Sequence, residues 1–441
     1  MKKISKYSHL LNDDNKFFLI SNLSGAVIEI VDHEKILFLS RENIQETDFD
    51  NCSDMPFSES ELKTLVDYQF LCSEDTDQDH LFSSRISEFK DKKELDILFV
   101  LTEDCNFRCV YCFENHVSRT LSEADVELYL AHTRALCEKH DIELLKIAFY
   151  GGEPLLQFDQ LKRIFHKIEE QFDDIKSKDY LLITNGYLLS SEKAQFLKAY
   201  SEKFLIQVTV DGPPETHNLK RPLANGMETF HKIIENVENA SQFLKIQMRV
   251  NVDQSTVNHL TEFSKLLNAR PFNRKNTSFD VQFITSNTDY NKSNGNIIDE
   301  ADEIRSASML VHNFLELQKK AGYDVYINKS AFCLGQPKYV YCPAFSGKHL
   351  AFAPEGYIYF CLERVGDRRY AVGNIYQTEV YYDVASEWLA HGVDKYDKCL
   401  NCEIVAFCAG DCGSRAIGRY GNLRPICGID RFLYPSEMFV F

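Results

Sequence analysis

Leu95-Asp96-Ile97-Leu98-Phe99-Val100-Leu101 is an apolar run of strand length. Three residues beyond it the chain reads Cys105-Asn106-Phe107-Arg108-Cys109-Val110-Tyr111-Cys112. Strand-like runs recur at Leu144–Tyr150, Tyr180–Thr184, Phe204–Val210, Lys245–Val252 and Ser278–Ile284. Between them the sequence takes a helical period. Ser122-Glu123-Ala124-Asp125 reads as a capping box opening a helix that runs to about His140. Asp159–Phe172, Glu192–Tyr200 and Glu228–Leu244 continue the alternation. Strands alternating with helices predict a parallel sheet with right-handed crossovers. Six such units predict an α/β fold, a partial (β/α)6 barrel. Reactive groups in this architecture sit at the C-terminal ends of strands, and the cysteine triplet begins there.

A tetrahedral zinc site or a complete iron–sulfur cube takes four protein ligands. The triplet offers three, and His116 alone stands near enough in sequence to complete it. Three thiolates suit a four-iron cluster with one iron open to a small ligand. Half of a zinc site is the competing reading. Gly151-Gly152-Glu153-Pro154 follows the second strand; its glycines would bare backbone to a ligand, and Glu153 would accept from an ammonium group. Thr209-Val210-Asp211-Gly212-Pro213 follows the fourth strand, with His217, Asn218 and Arg221 beyond. Arg221 can fork a carboxylate. An ordinary turn with a solvated arginine fits that stretch equally well, and Thr184-Asn185-Gly186 is similarly ambiguous.

Residues 1–92 read as a small α+β unit. Phe17–Ile20 and Ala26–Val31 are expected as strands joined at Asn22-Leu23-Ser24-Gly25, and Ser58–Phe70 as a helix capped by Ser58 or Ser60. Lys35–Leu39 fits a third strand or a helix start. From about Ala331 the texture turns irregular, rich in Gly, Cys and aromatics, with little core of its own. Cys333, Cys342, Cys361, Cys399, Cys402, Cys408, Cys412 and Cys427 lie here. Eight thiols serve two iron–sulfur clusters or two structural zincs equally well. Cys52, Cys72 and Cys137 lie outside both sets and read as small apolar residues.

Lys+Arg 49 against Asp+Glu 66 gives a net charge of −17 over 441 residues. That excludes nucleic acid as the main partner. No run approaches the roughly 18 apolar residues of a membrane span. Met1-Lys2-Lys3 is not followed by an apolar stretch, because Asn12–Lys16 is polar. A cytoplasmic location is expected, where fourteen cysteines serve as ligands or core residues rather than disulfides.

Together these features resemble the radical S-adenosylmethionine (SAM) enzymes that carry a C-terminal SPASM domain. The likeness spans roughly residues 95 to 430. It rests on the triplet with Tyr111 before its last cysteine, on Gly151–Pro154, on Asp211-Gly212-Pro213…His217…Arg221, and on the downstream cysteines. The resemblance implies a four-iron cluster on Cys105, Cys109 and Cys112, with SAM on its open iron. Gly152 and Glu153 would lie against the methionine amino group, Thr209 near the ribose, Arg221 at the carboxylate and Tyr111 on the adenine side. Cys333, Cys342, Cys361 and Cys412 would hold one auxiliary [4Fe-4S] cluster, with Cys333 the least secure. Cys399, Cys402, Cys408 and Cys427 would hold the other, for three clusters in all.

The implied domains are a leader-recognition-like unit at 1–92, a radical SAM partial barrel at 93–310, and a bridging segment with the SPASM region at 311–441. The implied reaction is maturation of a ribosomally made precursor peptide. A 5′-deoxyadenosyl radical takes a hydrogen, and a thioether or carbon–carbon cross-link forms. The leader would bind residues 1–92 by strand addition in a winged-helix-like unit; a packing or dimerisation element is the plainer alternative. The electron donor would be a flavodoxin or ferredoxin. Glu363 is the candidate proton acceptor, and Asp211 reads as structural. An anaerobic sulfatase maturase is the second enzymatic reading. Those enzymes usually carry an acid directly after the Gly-x4-Cys cysteine, whereas here Leu362 follows Cys361. A non-catalytic electron-transfer or zinc-binding module is the alternative from another class.

Overall fold

The computed structural model describes residues 1–13, 16–200, 202–284, 301–327, 337–377, 382–402 and 404–426. The chain opens with β1 (Lys2–Ile4), β2 (Ser8–Asp13), β3 (Lys16–Ser21), β4 (Val27–Ile30), α1 (His33–Leu39), α2 (Glu59–Asp67), β5 (Leu71–Ser73) and α3 (Gln78–Lys90). β2, β3 and β4 form an antiparallel sheet with β3 central, and β1 pairs with β5. The ambiguous Lys35–Leu39 is helical because the Asp32 carboxylate caps the amides of Glu34 and Lys35. Ser58 caps α2 in a reciprocal box with Glu61. Leu19, Ile30, Phe38, Phe49, Phe57, Leu65 and Phe70 close a small core of their own. α3 was not anticipated. Its buried Phe82 and Ile86, four residues apart, join the main core instead.

The alternation then follows: β6 (Glu94–Thr102), α4 (Glu123–His140), β7 (Leu144–Gly151), α5 (Phe158–Gln171), β8 (Ser177–Thr184), α6 (Ser191–Lys198), β9 (Phe204–Thr209), α7 (Pro214–Lys220), α8 (Phe230–Ser241), β10 (Lys245–Val252), α9 (Gln254–Val257), α10 (Leu260–Asn268) and β11 (Thr277–Phe283). β6 to β11 pair in order and in parallel, the expected partial barrel. Helix α11 (Ala301–Lys320) leads to β12 (Asp324–Ile327), which adds in parallel beyond β11.

The two faces of this sheet differ in kind. Leu95, Ile97, Phe99 and Leu101 share a core with α4 residues such as Val126 and Leu130. Leu98 and Val100 face the other, concave side with Ala148, Tyr150, Ala351 and Tyr359. Further round, that side turns polar. Gln207 donates to Gln247 at 2.7 Å, and Arg249 donates to Asp280 at 2.6 Å.

The C-terminal segment departs from expectation. β13 (His349–Phe352) runs parallel to β6, and β14 (Tyr357–Tyr359) and β15 (Ala371–Asn374) follow as antiparallel neighbours. The segment therefore extends the barrel sheet and shares its core through Phe345, Val393, Ile404 and Phe407. Strands of three or four residues are too short to show a period, which is why the sequence reads as irregular. α12 (Tyr382–Ala390), α13 (Asp397–Leu400), α14 (Val405–Cys408) and α15 (Gly413–Tyr420) complete the described chain. Among the described residues, no helix is long and apolar enough to cross a membrane.

Candidate active site

The loop after β6 leaves and returns at the strand end. Glu103 N donates to Arg119 O at 2.9 Å, and Leu121 N to Leu101 O at 3.0 Å. The cysteine triplet occupies this closed excursion, which is pinned along residues 220–224. Arg108 N donates to Pro222 O, Val110 N to Lys220 O and Ala224 N to Asn106 O, at 2.8 to 3.0 Å. Phe107 is fully buried beneath, edge-on to Tyr187.

All three thiols are free; Cys105 is buried, and Cys109 and Cys112 are half-buried. Burial pushes the Cys105 thiol well up, with Cys109 and Cys112 adding to the effect. Cys112 is likewise pushed up to about 12, mainly by burial, and Cys109 contributes again. The three thus lie within one another's fields, in a pocket that favours thiols until a cation arrives to hold them as thiolates. Among the described residues, no three His, Cys, Asp or Glu side chains close on a point that would hold one metal ion. A cube needs no such point, because it takes one thiolate per iron. The donor set and its spacing fit a four-iron cluster with one open iron.

Gly151 and Gly152 are required by protein packing. A Cβ on Gly151 would stand 2.1 Å from Thr102 O, and one on Gly152 would stand 2.2 Å from Asp104 O. The glycines press the exit of β7 against the triplet loop. Glu153 is fully buried, and its carboxylate accepts from Leu155 N at 2.9 Å, Thr184 Oγ1 at 2.7 Å and Asn185 N at 2.8 Å. It braces β7 against β8. Asn185 in turn donates to Asn106 Oδ1 at 2.8 Å, with its amide 4.0 Å from Cys105 Sγ. The ambiguous Thr184-Asn185-Gly186 stretch is therefore part of the site.

A second brace crosses from the triplet to β9 and β10. The Tyr111 hydroxyl donates to Asp211 and accepts from Arg221, and Asn251 Nδ2 donates to it at 3.1 Å. Asp211 also accepts from Asn251 N at 2.8 Å. His217 accepts from Asp211 N at 3.1 Å, and its other nitrogen meets Thr229 Oγ1 at 3.1 Å. Lys220 is buried beside Tyr111 and pairs with Asp253 at 3.1 Å. Asn251 and Lys220 were missed by sequence reasoning, since neither stands in a motif. Arg221 is buried against Cys109, and its Nε is buried with no protein acceptor. That orphaned donor fits the carboxylate of an amino-acid cofactor such as SAM. Thr209 ends β9 in register with Arg249, on the concave side.

Beyond the triplet, Glu114 and Tyr150 were also missed. Tyr150 precedes Gly151 on the concave face, hydrogen-bonded to Glu114. Burial raises the Glu114 carboxyl to about 7. Cys112 and Glu363 both act electrostatically on Tyr150. Glu363, half-buried, acts in turn on Cys342, Cys361 and Cys412. Cys342 is pushed up to about 11 by burial, and Cys361 and Cys412 higher still. Cys361 lies within the field of Cys342, and Cys412 within that of Cys361, while Cys333 lies outside the described residues. Cys399, Cys402 and Cys408 share one loop built on α13 and α14, and Cys427 lies outside the described residues. Cys137 is buried as expected, and Cys52 and Cys72 are half-buried.

Residues 99–267 match the radical SAM superfamily model. The radical SAM cyclopropyl synthase TigE of Paramaledivibacter caminithermalis is 22% identical over 95% of this chain and 91% of its own length. The cysteine-type anaerobic sulfatase-maturating enzyme of Clostridium perfringens (strain 13) is 30% identical, over 38% of this chain and 46% of its own length. The crystal structure of Streptococcus suis SuiB bound to precursor peptide SuiA shares the fold. It superposes with a TM-score of 0.56 at 15% identity, over 98% of this chain and 100% of that one. The thiol triplet at the mouth of the parallel barrel thus belongs to a radical SAM domain, residues 99–267.

Proposed function

We propose that this chain is a peptide maturase that takes a hydrogen atom from a ribosomally made precursor and closes an intramolecular cross-link. The observation that carries the reading is Tyr150. On the concave face it stands within the field of the triplet at Cys112 and of Glu363, which flanks the Cys342–Cys361–Cys412 centre. Tyr150 thus links the surroundings of the two thiol groups. When bound, the cluster and SAM supply the 5′-deoxyadenosyl radical. Formation of a bond at the resulting carbon radical releases one proton and one electron. Glu363 would take the proton, and a cluster on the auxiliary thiols would take the electron.

Arg221 would hold the SAM carboxylate, and Thr209 the ribose side. Tyr111, through Asp211 and Asn251, keeps Arg221 at that angle. Glu153 and Asn185 fix the loop that carries Cys105. Gly152 lets that loop close down. Cys333 and Cys427, both outside the described residues, would be the fourth ligands of two auxiliary clusters, for three clusters in all. β2 and β4 are open sheet edges, and a leader peptide would add to one of them. TigE spans nearly the whole chain, which supports carbon–carbon bond formation over a thioether.

Co-expression with a short peptide encoded beside this chain tests the reading. The product should be lighter by two hydrogens, with the new bond located by tandem mass spectrometry. A formylglycine at a single Ser or Cys would transfer the chain to the sulfatase-maturase reading. Tightly bound zinc with little iron would favour the non-catalytic one.

A further inference from the structure

Side chains alternate cleanly along β10. Ile246, Met248, Val250 and Val252 are buried in the main core, so Gln247, Arg249 and Asn251 face the concave side. Asn251 belongs to the brace around Arg221, through Tyr111 and Asp211. Arg249 stands two residues before it on the same face, roughly 7 Å further into the barrel. In register it is flanked by Thr209 of β9 and Asp280 of β11. Asp280 is buried, and it accepts from Arg249 Nε at 2.6 Å and from Gln282 Nε2 at 3.3 Å. The Arg249 side chain keeps 28% exposure against 6% for Asp280. Because β10 lies between β9 and β11, that exposure is to the inside of the barrel. The two Nη groups of Arg249 have no acceptor among the described residues. One row deeper, Gln207 and Gln247 are register partners, and Gln207 donates to Gln247 Oε1 at 2.7 Å. Whichever way these two amides are turned, one carbonyl and one NH2 are left over.

We propose that Arg249, held at its angle by Asp280, binds a backbone carbonyl of the precursor peptide, and that Gln207 and Gln247 pair the neighbouring peptide unit. The inference rests on the maturase reading above and names the residues that hold its substrate. A peptide inside the barrel gives up water, and each backbone group left without a partner then carries a desolvation cost. The β6 and β7 side of the concavity, with Leu98, Val100 and Ala148, has no side chain that can hydrogen-bond. The β9–β11 wall has both donors and an acceptor. Charge narrows the ligand further. The Asp280 carboxylate pairs with the guanidinium, so the Nη groups present N–H donors with little net positive charge behind them. A neutral carbonyl fits that arrangement, whereas a carboxylate would also meet the field of Asp280.

The test uses the anaerobically reconstituted chain and, as substrate, the short peptide encoded beside it. Wild type is compared with Arg249→Lys, with Asp280→Asn, and with a double variant carrying Arg249→Met and Asp280→Asn. Lysine keeps the charge beside Asp280 and loses the planar fork. The double variant removes the whole ion pair, so no charge is left buried alone, and it decides the matter if a single variant fails to fold. The KM for the peptide should rise about tenfold or more in each variant, the size of a lost charge-assisted hydrogen bond. More 5′-deoxyadenosine should be released per cross-link formed, because the peptide is held less firmly. The Kd for SAM, read by titration, should stay within about twofold, a change too small to mark a lost contact. A peptide KM near the wild-type value in Arg249→Lys and in the double variant would overturn the assignment. So would a weakened SAM Kd with an unchanged peptide KM, which would move Arg249 to the cofactor. If amidating one acidic side chain of the peptide cancelled the effect of Arg249→Lys, the acceptor would be a carboxylate, and the neutral carbonyl would be refuted. A peptide left unmodified by wild type would instead refute the maturase reading, and the inference with it.

Discussion

Glu153 Oε1 accepts from Thr184 Oγ1 at 2.7 Å, tying the end of β7 to the end of β8. The link lies directly behind Cys105, since Asn185, the next residue, reaches both Asn106 and the Cys105 sulfur. Burial raises the Glu153 carboxyl, and its three donors act against that rise.

Glu153→Ala strands those three donors in a buried site, at a cost of about 1–3 kcal/mol for each left unpaired. The variant should assemble the triplet cluster poorly and lose SAM cleavage. Glu153→Gln keeps the acceptor for Thr184 and should retain part of both. Iron content and deoxyadenosine release read the difference. Wild-type behaviour from the alanine variant would contradict the brace.

Arg221→Lys should raise the Kd for SAM about tenfold or more, equivalent to about 1.4 kcal/mol or more of lost binding. Lysine has no planar fork to hold a carboxylate and Tyr111 together. Isothermal titration of the reconstituted protein with SAM gives the number directly. An unchanged affinity would remove Arg221 from the site.

Lys220 and Asp253 form a buried pair. Lys220→Met takes the buried counter-ion from Asp253 and leaves its carboxylate to the Ser255 and Thr256 donors, at a cost of up to about 3–5 kcal/mol. Because Val110 N hangs on Lys220 O, the triplet loop should loosen with it. A lowered Tm and faster amide exchange at Val110 are expected. A melt within a degree of wild type would show that the pair adds little.

His391 stacks on Phe345, with Nδ1 at 2.6 Å from Leu423 O. Burial, the main cause, holds it neutral and pulls its pKa down to about 4. A histidine with a depressed folded value stabilises the protein above its unfolded value. That stabilisation is lost as the pH falls from about 6.5 toward about 4. The drop should reach about 3 kcal/mol across this window, at about 1.4 kcal/mol for each pH unit between the unfolded and folded values. Denaturant melts of the wild type should show it, and His391→Phe should flatten it. A parallel decline in both would assign the acid limb to other groups.

The barrel strands were legible because each is a long apolar run between helix-period stretches. The ends differ by a few residues: β8 starts at Ser177 rather than Tyr180, because its polar first residues pair with β7. The triplet, Glu153 and Arg221 were visible as motifs at strand ends. Their hydrogen-bond partners were not, since Tyr111 meets Asp211 and Asn251 across 100 and 140 residues. Tyr150 was hidden for a different reason. In a strand covered on both faces, every position reads as apolar, and the sequence does not mark which ones look into the cavity. The hydrogen bond from Asn22 to Cys402 spans 380 residues and leaves no local trace.

Release of 5′-deoxyadenosine from SAM, by reduced and reconstituted wild type and by Cys109→Ala, tests the assignment of the triplet most directly. Wild type should release it and the variant should not, while the variant should still carry about eight irons on its two auxiliary sites. Equal release from both would contradict it.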